Sequence, residues 1–231
     1  MPEFLPQDPE VTRVLLLRHA RTALNTADKI AGDKNTPIDA IGQMQAERLA
    51  QRISEDFVVH ALYVSPYLRA LQTAASISQR IRITPIQDED IIELGFGDLG
   101  DMNLNEIAQW DPSLHARLIE FVNAPPDTTL QRPQIPGGEP LNLAKERVMR
   151  FTNKILADHK GQTVAVVTHG GFIRIAMTVY GGGDLSKRIV YWADNASITI
   201  VDFCNGNPTF RLFNDKSHLD EVYSFGKPKF I

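Results

Sequence analysis

The chain has 231 residues, 43% of them apolar, with 24 basic and 28 acidic side chains and a formal net charge of −4. This is enough chain to bury a substantial core, and a single α/β domain spanning residues 1–231, with an insertion, is the default expectation. A weak negative charge without a basic run argues against a nucleic-acid partner. The lone cysteine, Cys204, excludes an internal disulfide and a multi-cysteine zinc site. No apolar run approaches the roughly 18 residues that a membrane helix needs, so no membrane association is expected. The start, MPEFLPQDPEV, is acidic and proline-rich without the apolar stretch of a signal peptide, and a cytoplasmic location is the expectation.

Residues Met1–Glu10 read as an ordered arm or a loose tail. Thr12–Leu17 is a short apolar run expected to form a buried strand, followed at once by Arg18 and His19 and then by Arg21, Thr22 and Asn25. After a Gly/Asp/Asn/Pro-rich loop, Ala31–Pro37, Asp39 is a candidate N-cap for a helix to about Ile53. Gly42 inside that helix costs roughly 1 kcal/mol against Ala, which points to close backbone packing. Ala61–Ser65 reads as the second strand, and Pro66 can open a helix to about Gln79 that carries Arg69. Ile81–Ile86 is expected as the third strand.

From Glu93 to Pro140 the pattern changes. Short helical pieces, Leu104–Trp110 and Ser113–Val122, lead into the proline-rich loop APPDTTLQRPQIP. This reads as a small, mainly helical cap over the strand ends, about residues 95–139, with Trp110 and Phe121 in its own core. A long helix, about Leu141–His159, precedes a fourth strand, Thr163–Thr168, and a further helix from about Gly171 to Val179. Ser197–Phe203 and Thr209–Phe213 flank the turn signal Asn205–Pro208, with Cys204 expected as a small core residue. The fold class that follows is α/β: three layers, a mostly parallel central sheet flanked by helices, and one mixed edge from the final hairpin.

In open α/β sheets, ligands bind at the carboxyl ends of strands. Arg18 and His19 leave the first strand at such a place, although a satisfied histidine beside a surface arginine would look the same. A second strand, Val166–Thr168, also ends in a histidine, His169, followed by Gly170 and Gly171. These two stretches are joined by GDKNTPIDAIGQMQA (Gly32–Ala46), VSPYLRALQTA (Val64–Ala74), ELGFG (Glu93–Gly97), PGGE (Pro136–Glu139) and NASITI (Asn195–Ile200). In this order the blocks resemble the histidine phosphatase superfamily, whose phosphoglycerate mutase branch shares the fold, and the resemblance runs from Thr12 onward.

The resemblance implies a phosphoric monoester hydrolase acting on a small phosphorylated metabolite, with no metal and no cofactor. His19 would attack phosphorus and form a phosphohistidine. Arg18 and Arg69 would clamp the phosphoryl oxygens, for which a planar two-pronged donor is suited. His169 and Asn25 would add donors, with Thr22, Arg21 and Gly170 bordering the substrate, Thr22 mainly as a structural hydrogen-bonder. The two cations disfavour imidazolium and so help keep the attacking nitrogen free. Glu93 stands where the family keeps its general acid, and Asp88, Glu89 and Asp90 are rivals that read more simply as solvated loop charges. Thr168 is expected to orient a neighbouring strand end, and Pro136–Glu139 to form the turn that starts the long helix. His60, His115, His159 and His218 read as surface or core residues.

Three departures stand out. Ala20 replaces the usual glycine after the first histidine, Asp98–Met102 replaces a Trp-Glu-Gly segment, and Arg21 takes a position that is often acidic. Two alternatives come from other chemistry: a metal-dependent hydrolase using His19 and His169 as ligands, which no HExxH-type spacing supports, and a non-catalytic phosphate-binding module. Within the family, mutase-type phosphoryl transfer needs anion binding at both ends of the substrate. Gly95–Ile135 holds only Arg117 and Arg132 among many apolar residues, which favours net hydrolysis. The substrate stays open among sugar phosphates, phosphoglycerates, a nucleotide-loop phosphate and phosphoserine, and so does the oligomeric state.

Overall fold

Consecutive apolar residues build the centre of the sheet because both of its faces are covered by helices. In the computed structural model, which describes residues 8–125, 129–187 and 189–219, six strands lie in the order β3-β2-β4-β1-β5-β6. They are β1 (Val11–Arg18), β2 (Ala61–Val64), β3 (Ile86–Gln87), β4 (Thr163–Thr168), β5 (Ile198–Cys204) and β6 (Asn207–Asp215). The first four are mutually parallel, β5 pairs antiparallel with β1, and β6 pairs antiparallel with β5. The expected arm up to residue 7, and residues 126–128 of the proline-rich loop, lie outside the described residues.

Alternation along the strands sorts the core into two layers. Val14, Leu16, Tyr63, Val164 and Val166 pack against α6 (Leu141–Asp158) and α7 (Gly170–Tyr180). Leu15, Leu17, Leu62, Val64, Ala165 and Val167 pack against α2 (Ala40–Asp56) and α3 (Leu68–Ile81). A one-turn helix α1 (Ala23–Thr26) follows β1. In the 95–139 region, α4 (Leu104–Trp110) and α5 (Pro112–Asn123) close a small cluster of Leu99, Ile107, Leu114 and Leu118. No described helix is long and apolar enough to cross a membrane.

The mixed, mostly parallel α/β sheet agrees with the expectation, and four local readings are corrected. The third strand is not Ile81–Ile86. The stripe Ala70, Ala74, Ile77 and Ile81 keeps α3 helical to Ile81, Arg82 then turns left-handed (φ 58°), and Pro85 leaves only a two-residue edge strand after it. α3 starts at Leu68, two residues after Pro66, with the Leu68 N–H donating to the Lys34 carbonyl. Trp110 is 46% exposed on the last turn of α4 instead of sitting in a local core, whereas Phe121 is buried. Cys204 is exposed, because it is the last residue of β5 beside the turn. That turn has two central residues, Asn205 and Gly206, both at positive φ, the conformation that matches the twist of a tight hairpin.

Gly42 shows why a glycine sits inside α2. A Cβ there would lie 2.1 Å from the Arg21 carbonyl oxygen, a backbone atom with little room to retreat. Gly42→Ala is therefore expected to lower stability by about 1–3 kcal/mol despite the better helix propensity of alanine. Urea denaturation checks this; a rise in midpoint would show that the approach relaxes freely.

Candidate active site

Parallel pairing sets Arg18 opposite Thr168, so the residues that follow, His19 and His169, leave the sheet together. Their ring centroids are 5.2 Å apart. His19 Nδ1 lies 2.8 Å from the Ala20 carbonyl oxygen. A carbonyl only accepts, so Nδ1 carries the proton and Nε2 keeps a free lone pair. Burial, then the charges of Arg69 and Arg18, push His19 well below the ordinary histidine range. His169 is pushed the same way by burial, by His19 and by the surrounding arginines. Both rings are held neutral.

The two arginines come from different elements. Arg18 ends β1 and donates through Nη1 to the Ala193 carbonyl at 2.5 Å. Arg69, in the first turn of α3, is fully buried and donates through Nη1 to the Asp33 carbonyl at 2.6 Å. Neither forms an ion pair with a carboxylate among the described residues, and burial pulls both below the usual arginine range. Arg18 Nε, Arg69 Nε and Nη2, and His169 Nδ1 are buried without a hydrogen-bond partner among the described residues. Each unpaired buried polar group costs about 1–3 kcal/mol. The arginine donors among these nitrogens are relieved by an acceptor-rich anion. Helix α7 begins at Gly170 and adds the positive end of its dipole.

Glu93 is 8% exposed, and its Oε1 accepts the Leu94 N–H at 2.8 Å. It lies against the start of α7: a Cβ on Gly171 would sit 2.3 Å from that oxygen, so only glycine leaves the carboxyl its place. The rivals are peripheral. Asp88 pairs with Lys154, Asp90 pairs with Arg150, and Glu89 is exposed.

The chain around Glu93 is held by a residue that the sequence motifs do not reveal. Arg147 donates to the carbonyls of Asp90, Ile92 and Glu93 and forms a two-pronged pair with Glu139. Glu139 in turn accepts the Gly95 N–H. The available hint is that Arg147 falls in the apolar stripe of α6, between Ala144 and Val148, where a charge needs a partner. Thr168 Oγ1 donates to the Ile91 carbonyl at 2.6 Å, tying β4 to the same segment. Ser65 and Tyr67, also unflagged, both meet His169: Ser65 Oγ is 2.7 Å from Nε2, and the Tyr67 ring centroid is 5.1 Å from the imidazole's.

Loop residues near His19 serve largely to hold it. Thr22 caps α1 in a reciprocal arrangement with Asn25. Asn195 Nδ2 bridges the His19 carbonyl and Asn25 Oδ1. Arg21 pairs with Asp39 at 2.9 Å, a surface carboxylate at the start of α2. Ala20 is absent from the positive-φ positions, so its side chain is tolerated, and its N–H donates to Thr73. In the departing Asp98–Met102 segment, Asp101 accepts the N–H groups of Gly32 and Asp33 and thereby presents the Asp33 carbonyl to Arg69. A groove of about 690 Å³ opens beside the site past Leu94 and Gly95, with Arg132 and Lys145 on its walls. No group of three or more His, Cys, Asp or Glu side chains among the described residues is arranged to hold a metal.

Known proteins resemble this chain in sequence and in fold. The chain is 29% identical over 90% of its length to the bifunctional protein Rv2228c of Mycobacterium tuberculosis, of which it spans 55%. It is 29% identical to the metal-independent phosphoserine phosphatase of Arabidopsis thaliana, covering 95% of this chain and 88% of that one. Bacillus stearothermophilus YhfR superimposes with a TM-score of 0.76 at 27% identity, covering 90% of this chain and 98% of that one. The profile of the histidine phosphatase superfamily (branch 1) matches residues 14–216, and the chain belongs to that superfamily.

Proposed function

We propose that this protein is a phosphoric monoester hydrolase that acts on a small phosphorylated metabolite without a metal, through a phosphohistidine on His19. One observation carries the reading: unpaired buried nitrogens of Arg18, Arg69 and His169 gather around a neutral His19. A phosphomonoester brings about two negative charges and three strong acceptor oxygens to those donors. His19 Nε2 then attacks phosphorus as the ester P–O bond breaks. The arginines and His169 stabilise the charge spread over the equatorial oxygens. Glu93 gives its proton to the departing alkoxide. In the second step it takes a proton from the water that attacks the phosphohistidine, and Nε2 leaves with its lone pair restored. Among the solved and curated relatives, the name of the Arabidopsis enzyme supports metal independence and a small substrate.

The first test is hydrolysis of p-nitrophenyl phosphate with EDTA present. Wild type is expected to turn over, and His19→Ala to lose at least about a thousandfold in kcat; a variant that keeps its rate would end the nucleophile assignment. Glu93→Gln separates the acid step. It should lower kcat/KM by about 10²–10⁴ on alkyl phosphates such as phosphoserine, and by much less on p-nitrophenyl phosphate, whose leaving group departs without a proton. Equal losses on both substrates would remove Glu93 from proton donation.

Neutral buried histidines also set a pH dependence. Their folded values lie below the unfolded 6.5, and His218 is pushed down to about 4 by burial, so the unfolded chain binds more protons. Stability should be full above about pH 6.5 and fall as the pH drops below it. Urea midpoints between pH 7 and 4 are expected to show that decline, with a shallower slope in His19→Asn.

A further inference from the structure

His169 and Ser65 are both fully buried, and their contact decides where the imidazole proton sits. His169 Nε2 is 2.7 Å from Ser65 Oγ, while Nδ1 has no partner among the described residues. Ser65 Oγ makes one further contact, with the Tyr67 N–H at 3.4 Å, and an amide N–H can only donate. A hydroxyl has two acceptor lone pairs and one hydrogen. With the Tyr67 amide directed at a lone pair, the Ser65 hydrogen has a single acceptor, His169 Nε2. The opposite arrangement, with the proton on Nε2, would bury that hydroxyl hydrogen without an acceptor. It would also leave a bare Nδ1 lone pair beside the unpaired donors of Arg18 and Arg69, repelling the anion they attract.

We infer that Ser65 is a positioning residue for His169, resting on the phosphatase reading above. Its hydroxyl donates to Nε2, fixes the neutral ring with its proton on Nδ1, and so makes Nδ1–H the donor to a phosphoryl oxygen. The Tyr67 ring, packed edge-on against the imidazole, holds the ring plane. His169 thus contributes a hydrogen bond without a charge, and it neither gains nor loses a proton in the reaction. Burial and the neighbouring cations favour the same neutral state.

The test uses the full chain labelled with ¹⁵N-histidine, its six imidazoles resolved by ring nitrogen–proton correlation and His169 assigned by its loss in His169→Gln. In wild type the proton-bearing nitrogen is expected to be Nδ1, with Nε2 unprotonated. Protonated Nε2 would overturn the inference, and this reading needs no Ser65 variant to fold. Ser65→Ala is expected to move the His169 population toward Nε2–H and to weaken orthovanadate binding and kcat/KM together by about 10- to 100-fold, the scale of lost outer-shell partners. A variant that keeps Nδ1–H and its vanadate affinity would also overturn it. Failure of the phosphatase reading is separately visible, as absent wild-type turnover beside an intact Nδ1–H signal.

Discussion

Two guanidinium groups, Arg18 and Arg69, lie within each other's field with no carboxylate ion-paired to either among the described residues, and much of the surrounding structure holds them there. Each is steadied by a backbone carbonyl, from Ala193 and from Asp33. A carbonyl fixes direction but leaves the charge uncompensated. The segments presenting those carbonyls are themselves tied down. Asp101 grips the Gly32 and Asp33 amides, and Asp194, beside Ala193, accepts from Trp192, Asn214 and Lys216. A carboxylate paired directly with either guanidinium would have taken up the donors that a substrate anion needs. Because neither arginine is ion-paired among the described residues, their unpaired donors and the neutral histidines form one arrangement.

The acid side of the pocket follows different physics. Glu93 sits opposite two fixed cations, and its place is set by Arg147, which gathers three carbonyls and Glu139 around one guanidinium. Here the charge is compensated, so Arg147 acts as a structural clamp. The contrast between paired Arg147 and unpaired Arg18 and Arg69 separates scaffold from site within a few residues of each other. It also explains Pro136–Glu139, which reads from sequence as a turn before α6. Its last residue is one half of a partly buried ion pair, and Gly138 bridges to Phe96.

How much of this is visible in the chain depends on the range of the interaction. Runs such as Val14–Leu17 and Val164–Val167 announce buried strands, and residues immediately following a strand end are bound to a known edge of the sheet, which is why Arg18, His19 and His169 can be picked out. Asp39 and Asn205–Gly206 are legible because caps and tight turns are local. Ile81–Ile86 misleads because alternation over so few residues fits a helix end as well as a strand, and only packing on α2 decides between them. Trp110 misleads because an aromatic residue in an apolar helix gives no sign of which face is covered.

The sequence by itself determined the α/β class, the strand ends that carry the histidines, and the types of side chain at the site, since each depends on patterns of a few residues. Only the tertiary structure decided which charges stay unpaired. Pairing is not legible along the chain: Asp39 reaches Arg21 and Glu139 reaches Arg147, yet no carboxylate ion-pairs with Arg18 or Arg69 among the described residues. Electrostatic compensation depends on distances between residues remote in sequence, and the parallel register of β1 with β4, together with the docking of α3 and α6, sets those distances.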